Sequence, residues 1–216
     1  MLHEGEIPKY VGDALCIPLE AAFSDSVAGK PPLTGAEQRH VESMKKPRAT
    51  EWLRGRCALK QVLRRLCRAE DTAHIAFPNP NLSLTHGGGI AIAVGTNANA
   101  ILGLGIDFEP ARYLKPEVSR FFLSEGEQTW LDGVCSSERP RHLRRLWTVK
   151  ECVFKADPDN YKSIYKDYVL DTPGEISATA HIVHENGIRE ITYLSLDRPY
   201  GTISVAVCKR AGDKHA

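Results

Sequence analysis

Two segments of the chain hold side chains whose types and spacing could support chemistry. In an extended reading of residues 101–109, side chains alternate between two faces. Leu102, Leu104, Ile106 and Phe108 make one apolar face, suited to a core. Gly103, Gly105, Asp107 and Glu109 make the other. That second face sets two carboxylates beside two residues without side chains, leaving room for a ligand over the glycines. Like charges side by side are costly unless a cation or base neutralises them. A divalent metal is one answer. A strand end turning into solvent at Pro110, with two hydrated acids, is the other.

The second segment is helical. Trp147, Glu151 and Lys155 stand at i, i+4 and i+8 and share a face. A simple helix ion pair would account for Glu151 and Lys155. Their neighbours Leu143, Leu146, Val149, Val153 and Phe154 are apolar, however, and a charged pair on a mostly buried helix needs compensation. A third carboxylate with a lysine would complete a site for Mg2+ and phosphate, because Mg2+ favours carboxylates together with phosphate oxygens and water. A further stretch, Ser83-Leu-Thr-His-Gly-Gly-Gly89, reads as a strand followed by a glycine loop. Exposed backbone N–H groups there suit an anion, with Thr85 and His86 as added donors. A plain hairpin loop is the alternative. The chain has no G-x-G-x-x-G and no P-loop lysine, so nucleotide sites of those types are not supported.

The elements that must position these residues follow from periodicity. Residues up to about 45 read as irregular, broken by Pro8, Pro18, Pro31 and Pro32, with 14–19 as a candidate strand. From Arg48 the pattern is helical: Trp52, Gly55, Leu59, Val62, Leu63 and Leu66 form a stripe, and Gly55 on it implies close approach of another element. Strands are expected at 81–85, 90–94 and 101–109, the last two joined as a hairpin through the turn-like residues 95–99. Pro116 opens a short helix through Phe122. Ser124 and Glu127 form a capping box for the next helix. A long helix runs from Pro140 to Ala156, ended by Pro158. Strands at 181–183, 190–196 and 202–207 complete an α+β pattern without a βαβ rhythm.

The bulk composition excludes several classes. With 42% hydrophobic and 25% charged residues, the 216-residue chain is a folded globular protein rather than a disordered one. A formal net charge of +1 gives no polyelectrolyte argument for nucleic acid. A local basic run, including Lys45, Lys46, Arg48, Arg54, Arg56 and Lys60, is either a solvated helix face or a surface for phosphates or an acidic partner. Six cysteines lack Cys-x-x-Cys spacing, so reduced, mostly buried thiols are expected. His181 and His184 face opposite ways on a strand and make a poor metal pair. Without an apolar leader or a run long enough to span a bilayer, a cytoplasmic protein with no membrane partner is expected.

The motifs resemble those of a known family. Gly105-Ile-Asp-Phe-Glu109 resembles the G-[IV]-D-x-E motif of Sfp-type 4′-phosphopantetheinyl transferases, and Trp147-Thr-Val-Lys-Glu-Cys-Val-Phe-Lys155 resembles their W-x-x-K-E-[AS]-x-x-K motif. Ser83-Leu-Thr-His86, Arg120-Phe-Phe122 and Trp52-Leu-Arg-Gly-Arg56 are similar to further family segments. The resemblance implies two similar α+β halves in pseudo-twofold arrangement, residues 1–102 and 103–216. Coenzyme A would lie in the cleft between them. The chain length favours this monomeric double form over the shorter trimeric synthases. The implied reaction moves phosphopantetheine from coenzyme A to a serine on an acidic helix of a carrier protein, releasing adenosine 3′,5′-bisphosphate. Fatty acid, polyketide and nonribosomal peptide carriers all fit that description. Asp107, Glu109 and Glu151 would then hold Mg2+. Glu151 would also be the general base, and Lys155 would hold the transferring phosphate. Thr85, His86, Arg48 and Arg56 would grip the adenosine phosphates. The chain departs from the pattern at Ala73-His-Ile-Ala-Phe-Pro78, where relatives carry G-[KR]-P, and at Ala156-Asp-Pro-Asp-Asn160, where they carry glycines. A non-catalytic binder of coenzyme A or carrier, and a Mg2+-dependent phosphohydrolase, are the competing readings.

Overall fold

The computed structural model describes residues 5–26, 32–112 and 114–210. The chain opens with a helix, α1 (Glu6–Leu15), which buries Ile7, Val11 and Leu15. Pro8 lies in its first turn, where no intrahelical N–H bond is lost. The strand expected at 14–19 is therefore absent. Cys16, in left-handed conformation (φ 51°), ends the helix, and extended chain begins only at Glu20. A second short helix, α2 (Gly35–Glu42), also falls in the stretch read as irregular.

Strands β1 (Glu20–Ser24), β2 (Leu82–Gly87) and β3 (Ile90–Gly95) form an antiparallel sheet in the order β1-β3-β2. Helix α3 (Lys46–Arg65) covers one face with Ala58, Leu59, Val62 and Leu63. The second sheet has the order β4-β8-β7-β6-β5, again antiparallel. Its strands are β4 (Ile101–Pro110), β5 (Val169–Leu170), β6 (Ser177–His184), β7 (Gly187–Arg198) and β8 (Gly201–Lys209). Between β4 and β5 come a 3-10 turn (Pro116–Phe121), α4 (Glu125–Gly133) and α5 (Arg139–Ala156), which packs on this sheet with Leu146, Val149, Cys152 and Val153.

The expected β3–β4 hairpin does not form. β3 pairs with β1 and β2, whereas β4 pairs with β8. The intervening turn is held elsewhere: the Thr96 hydroxyl donates to the Pro18 carbonyl at 2.6 Å and accepts from the Ala98 N–H at 3.1 Å. That turn carries the chain from one sheet to the next. The true hairpin is β2–β3, which turns through Gly88 and Gly89, both at positive φ where glycine is favoured.

The sheets share a core. Residues of α1, Ile92 and Val94 of β3, Leu104, Ile106 and Phe108 of β4, and Ile203, Val205 and Val207 of β8 form one buried cluster. A register shift between Ile101 and Gly103 interrupts the β4 alternation. Leu102 accordingly leaves the face of Leu104, Ile106 and Phe108 and packs instead into the α5 cluster.

The two helix pairs use the same internal tie. In the first, Thr34 caps α2 in a capping box with Glu37. Glu37 also pairs with Lys60 of α3 at 2.7 Å and accepts from the Thr72 N–H. Lys60 in turn donates to the Pro32 carbonyl. In the second, Ser124 caps α4 with Glu127, which pairs with Lys150 of α5 at 2.7 Å and accepts from the Leu170 N–H. Lys150 donates to the Tyr168 carbonyl. Each carboxylate thus joins a helix start, a buried lysine and the segment that leaves the next helix. Such pairs withstand burial when further hydrogen bonds reach both partners, as the capping amides and the Pro32 and Tyr168 carbonyls do here.

Candidate active site

Helix α5 lies directly on the glycines of β4. A Cβ at Gly103 would sit 1.9 Å from the Ala156 carbonyl oxygen, and one at Gly105 would sit 1.8 Å from that of Cys152. The space over the glycines holds helix backbone rather than a ligand, which corrects the sequence reading. The close approach instead brings Glu151 and Lys155 of α5 onto the acids of β4.

Asp107 is 6% exposed. Its Oδ1 accepts from Thr85 Oγ1 at 2.9 Å and from Lys155 Nζ at 2.8 Å. Lys155 also donates to the Ile106 carbonyl at 3.2 Å and lies 3.8 Å from Glu151 Oε2. The other Glu151 oxygen, Oε1, accepts from the Tyr165 hydroxyl at 2.7 Å. Glu109 is buried and pairs with the exposed Arg112 at 2.5 Å. Burial pushes the Glu151 carboxyl above the ordinary carboxylate range. The charges of Asp107 and Glu109 push the same way, against Lys155 and the Tyr165 hydroxyl.

These acids come from distant parts of the chain and repel one another, with Lys155 as the counter-charge between Asp107 and Glu151 and Arg112 as that of Glu109. Hard oxygen donors that crowd in this way suit a Mg2+ ion. As placed, no three His, Cys, Asp or Glu side chains among the described residues stand at ready-made metal spacing. The donor chemistry fits the ion, while Lys155 and Arg112 occupy the carboxylates.

The strand bearing the Ser83-x-Thr85-His86 pattern has a structural task as well. β2 and β4 meet at the edges of their two sheets without a ladder between them. Side-chain hydroxyls bridge them: Ser83 accepts from the Ile106 N–H at 3.0 Å and Thr85 from the Phe108 N–H at 3.3 Å. Thr85 is 3% exposed and its hydroxyl is fully engaged, so it holds Asp107 in place rather than facing an anion.

Two cavities flank the cluster. One, of roughly 760 Å³, is lined by Arg48, Glu51 and Arg54 of α3 and by His86 and the three glycines of the β2–β3 turn. Here Arg48 and His86 come together as the sequence suggested. Arg54 stood only in the basic run and was not singled out, although Arg48, Glu51 and Arg54 share a helix face at intervals of three. The His86 ring lies beneath Gly55, where an added Cβ would come within 2.7 Å of Nε2. That nitrogen is buried without a hydrogen-bond partner among the described residues, as is Arg54 Nε. Burial lowers the His86 proton affinity and so favours the neutral ring. Arg56 does not line this cavity. It donates to the Thr72 carbonyl at 3.1 Å and lies over the Trp52 ring at 4.8 Å. The second cavity, of roughly 380 Å³, is lined by Phe77, Pro78, Ser83, Leu84, Phe154, Lys155 and Asn160.

Other side chains resolve as follows. None of the six cysteines forms a disulfide; Cys57, Cys152 and Cys208 are buried, whereas Cys16, Cys67 and Cys135 are exposed, against the expectation of mostly buried thiols. His181 pairs with Asp171 and His184 with Asp157. No helix among the described residues is long and apolar enough to cross a membrane.

The class defined to this point is an α+β protein whose second sheet and long helix gather three acids and a lysine. Residues 103–208, just under half of the chain, match the family model described as ACPS, 4′-phosphopantetheinyl transferase superfamily. That segment is similar to a domain of that superfamily, and Asp107, Glu109, Glu151 and Lys155 all fall within it. A search of curated proteins found no match.

Proposed function

We propose that the protein transfers 4′-phosphopantetheine from coenzyme A to a serine hydroxyl of an acyl or peptidyl carrier protein, with Mg2+, in the manner of the Sfp-type enzymes. The observation behind this reading is the convergence of Asp107 and Glu109 from β4 with Glu151 and Lys155 from α5 inside the family-matched segment. The two capped helix pairs support two similar halves, 1–102 and 103–216, in pseudo-twofold arrangement with coenzyme A between them. The expectation of a monomeric, cytoplasmic protein stays with this reading.

The partner supplies the nucleophile, so this chain needs no reactive serine or cysteine. Phosphoryl transfer asks chiefly for positioning and charge neutralisation. Asp107, Glu109 and Glu151 would hold Mg2+, which supplies charge neutralisation on the diphosphate when bound. Lys155 holds the transferring phosphoryl group by turning its ammonium from Asp107 to the phosphate oxygens. Glu151 accepts the proton of the carrier serine, directly or through water. The serine oxygen forms a bond to the phosphorus next to pantetheine. The bond from that phosphorus to the bridging oxygen breaks, and adenosine 3′,5′-bisphosphate leaves with its electron pair. Arg48, Arg54 and His86 grip the nucleotide phosphates over the glycine turn, with Arg56 behind them on α3.

The test is an intact-mass assay with coenzyme A, Mg2+ and a panel of apo carrier proteins. The expected result is a phosphopantetheine adduct on at least one carrier. Coenzyme A bound without any adduct would favour a binding module, and phosphate release without a carrier would favour a hydrolase.

A further inference from the structure

The segment after α5 is where the chain departs from the motif pattern, and it returns to the site through one side chain. Tyr165, in a short 3-10 turn, sits with its ring 5.5 Å from that of Trp147 and 4.9 Å from that of Phe154. These two residues flank Glu151 on α5. The ring is thus clamped over the carboxylate, and its hydroxyl donates to Glu151 Oε1 at 2.7 Å. Glu151 Oε2 is left on the side of Lys155.

We propose that Tyr165 is a positioning residue for Glu151. It fixes one carboxylate oxygen so that the other is presented to the centre shared with Asp107 and Lys155. A carboxylate on a flexible glutamate stem has several rotamers, and only one of them meets that centre. A hydrogen bond from a ring locked by two aromatic neighbours selects one rotamer before any substrate arrives. The segment from 157 to 168 anchors this ring at its far end, because the buried Tyr168 hydroxyl donates to Asp157 at 2.8 Å and the Tyr168 carbonyl accepts from Lys150. The inference rests on the transferase reading of Glu151.

Tyr165→Phe keeps the ring and removes the hydroxyl. At saturating Mg2+ the variant is expected to lose about tenfold or more in kcat, with the KM for coenzyme A within about twofold. A second measurement does not use activity: urea unfolding of the wild type, Tyr165→Phe, Glu151→Ala and the double variant without metal. The two substitutions should be clearly non-additive, since the first removes the donor and the second the acceptor of the same hydrogen bond. Wild-type kcat in Tyr165→Phe, or additive unfolding effects, would overturn the proposal and leave the transferase reading standing. A wild-type protein that modifies no carrier would remove both, and is told apart because it needs no variant.

Discussion

Lys150 and Lys155 lie little more than one turn apart on α5, and both face carboxylates, but their surroundings differ. Lys150 and its partner Glu127 are 0% and 1% exposed, and both carboxylate oxygens also accept from an amide, one from the capping Ser124 and one from Leu170 of β5. Lys155 is 29% exposed and divides itself among Asp107, Glu151 and a backbone carbonyl. The first lysine is bound on all sides and ties helices together. The second has a retained counter-charge that an arriving phosphate can replace. Lys60 repeats the first arrangement in the other helix pair, with Glu37. A lysine in a motif is thus structural or chemical according to whether its partners leave it anything to release.

The largest expected effect comes from breaking the buried tie. Lys150→Met should lower stability by about 3–5 kcal/mol, because Glu127 is left charged and buried without its cation. Urea unfolding measures this, and activity per folded molecule should survive. Lys155→Ala should do the reverse. Transfer falls about 10²–10³-fold, about 3–4 kcal/mol in the barrier, while stability falls by less than in Lys150→Met, because Asp107 keeps the Thr85 donor and Lys155 is partly exposed. Steady-state kinetics beside a melting curve separates the two lysines. If both variants lose stability alike, the contrast fails.

Thr85→Val sharpens the same contrast at the seam between the sheets. It leaves the buried Phe108 N–H without an acceptor and Asp107 without one donor. Stability should fall by about 1–3 kcal/mol, measured by unfolding.

The last effect is a pH dependence that appears only in acid. Burial alone would raise the Glu37 carboxyl, but Lys60 and the hydrogen bonds from Thr72 and Thr34 lower it to about 2 from its ordinary 4.5. A carboxyl depressed by folding contributes stability that is complete above its unfolded value and lost as pH falls through the folded one. The urea midpoint should therefore decline between pH 4.5 and about 2. Glu37→Gln should flatten that part of the decline.

From Lys46 onward most elements were legible. The α3 stripe, the Ser124–Glu127 capping box and the α5 span ending before Pro158 each carry a local signal that packing did not override. The N-terminus was not legible, because Pro8 reads as a breaker unless the helix start is known to lie just before it. The β3–β4 hairpin failed because short connections between neighbouring strands usually mean pairing. Here Thr96 anchors the turn to Pro18, and the chain changes sheets. At the site, Asp107, Glu109, Glu151 and Lys155 announced themselves by face and spacing. The glycines were misread because sequence shows missing side chains without showing whether a ligand or a helix fills the gap. Tyr165 carried no signal, since its role depends on a turn that brings it back over α5.

The most direct test of the central claim pairs wild type with Glu151→Gln in the carrier-panel mass assay. Wild type should add phosphopantetheine to a carrier in a Mg2+-dependent manner. The variant should fold normally and lose about 10³-fold or more of that rate. A variant that keeps the wild-type rate would remove Glu151, and the convergence built around it, from the reaction.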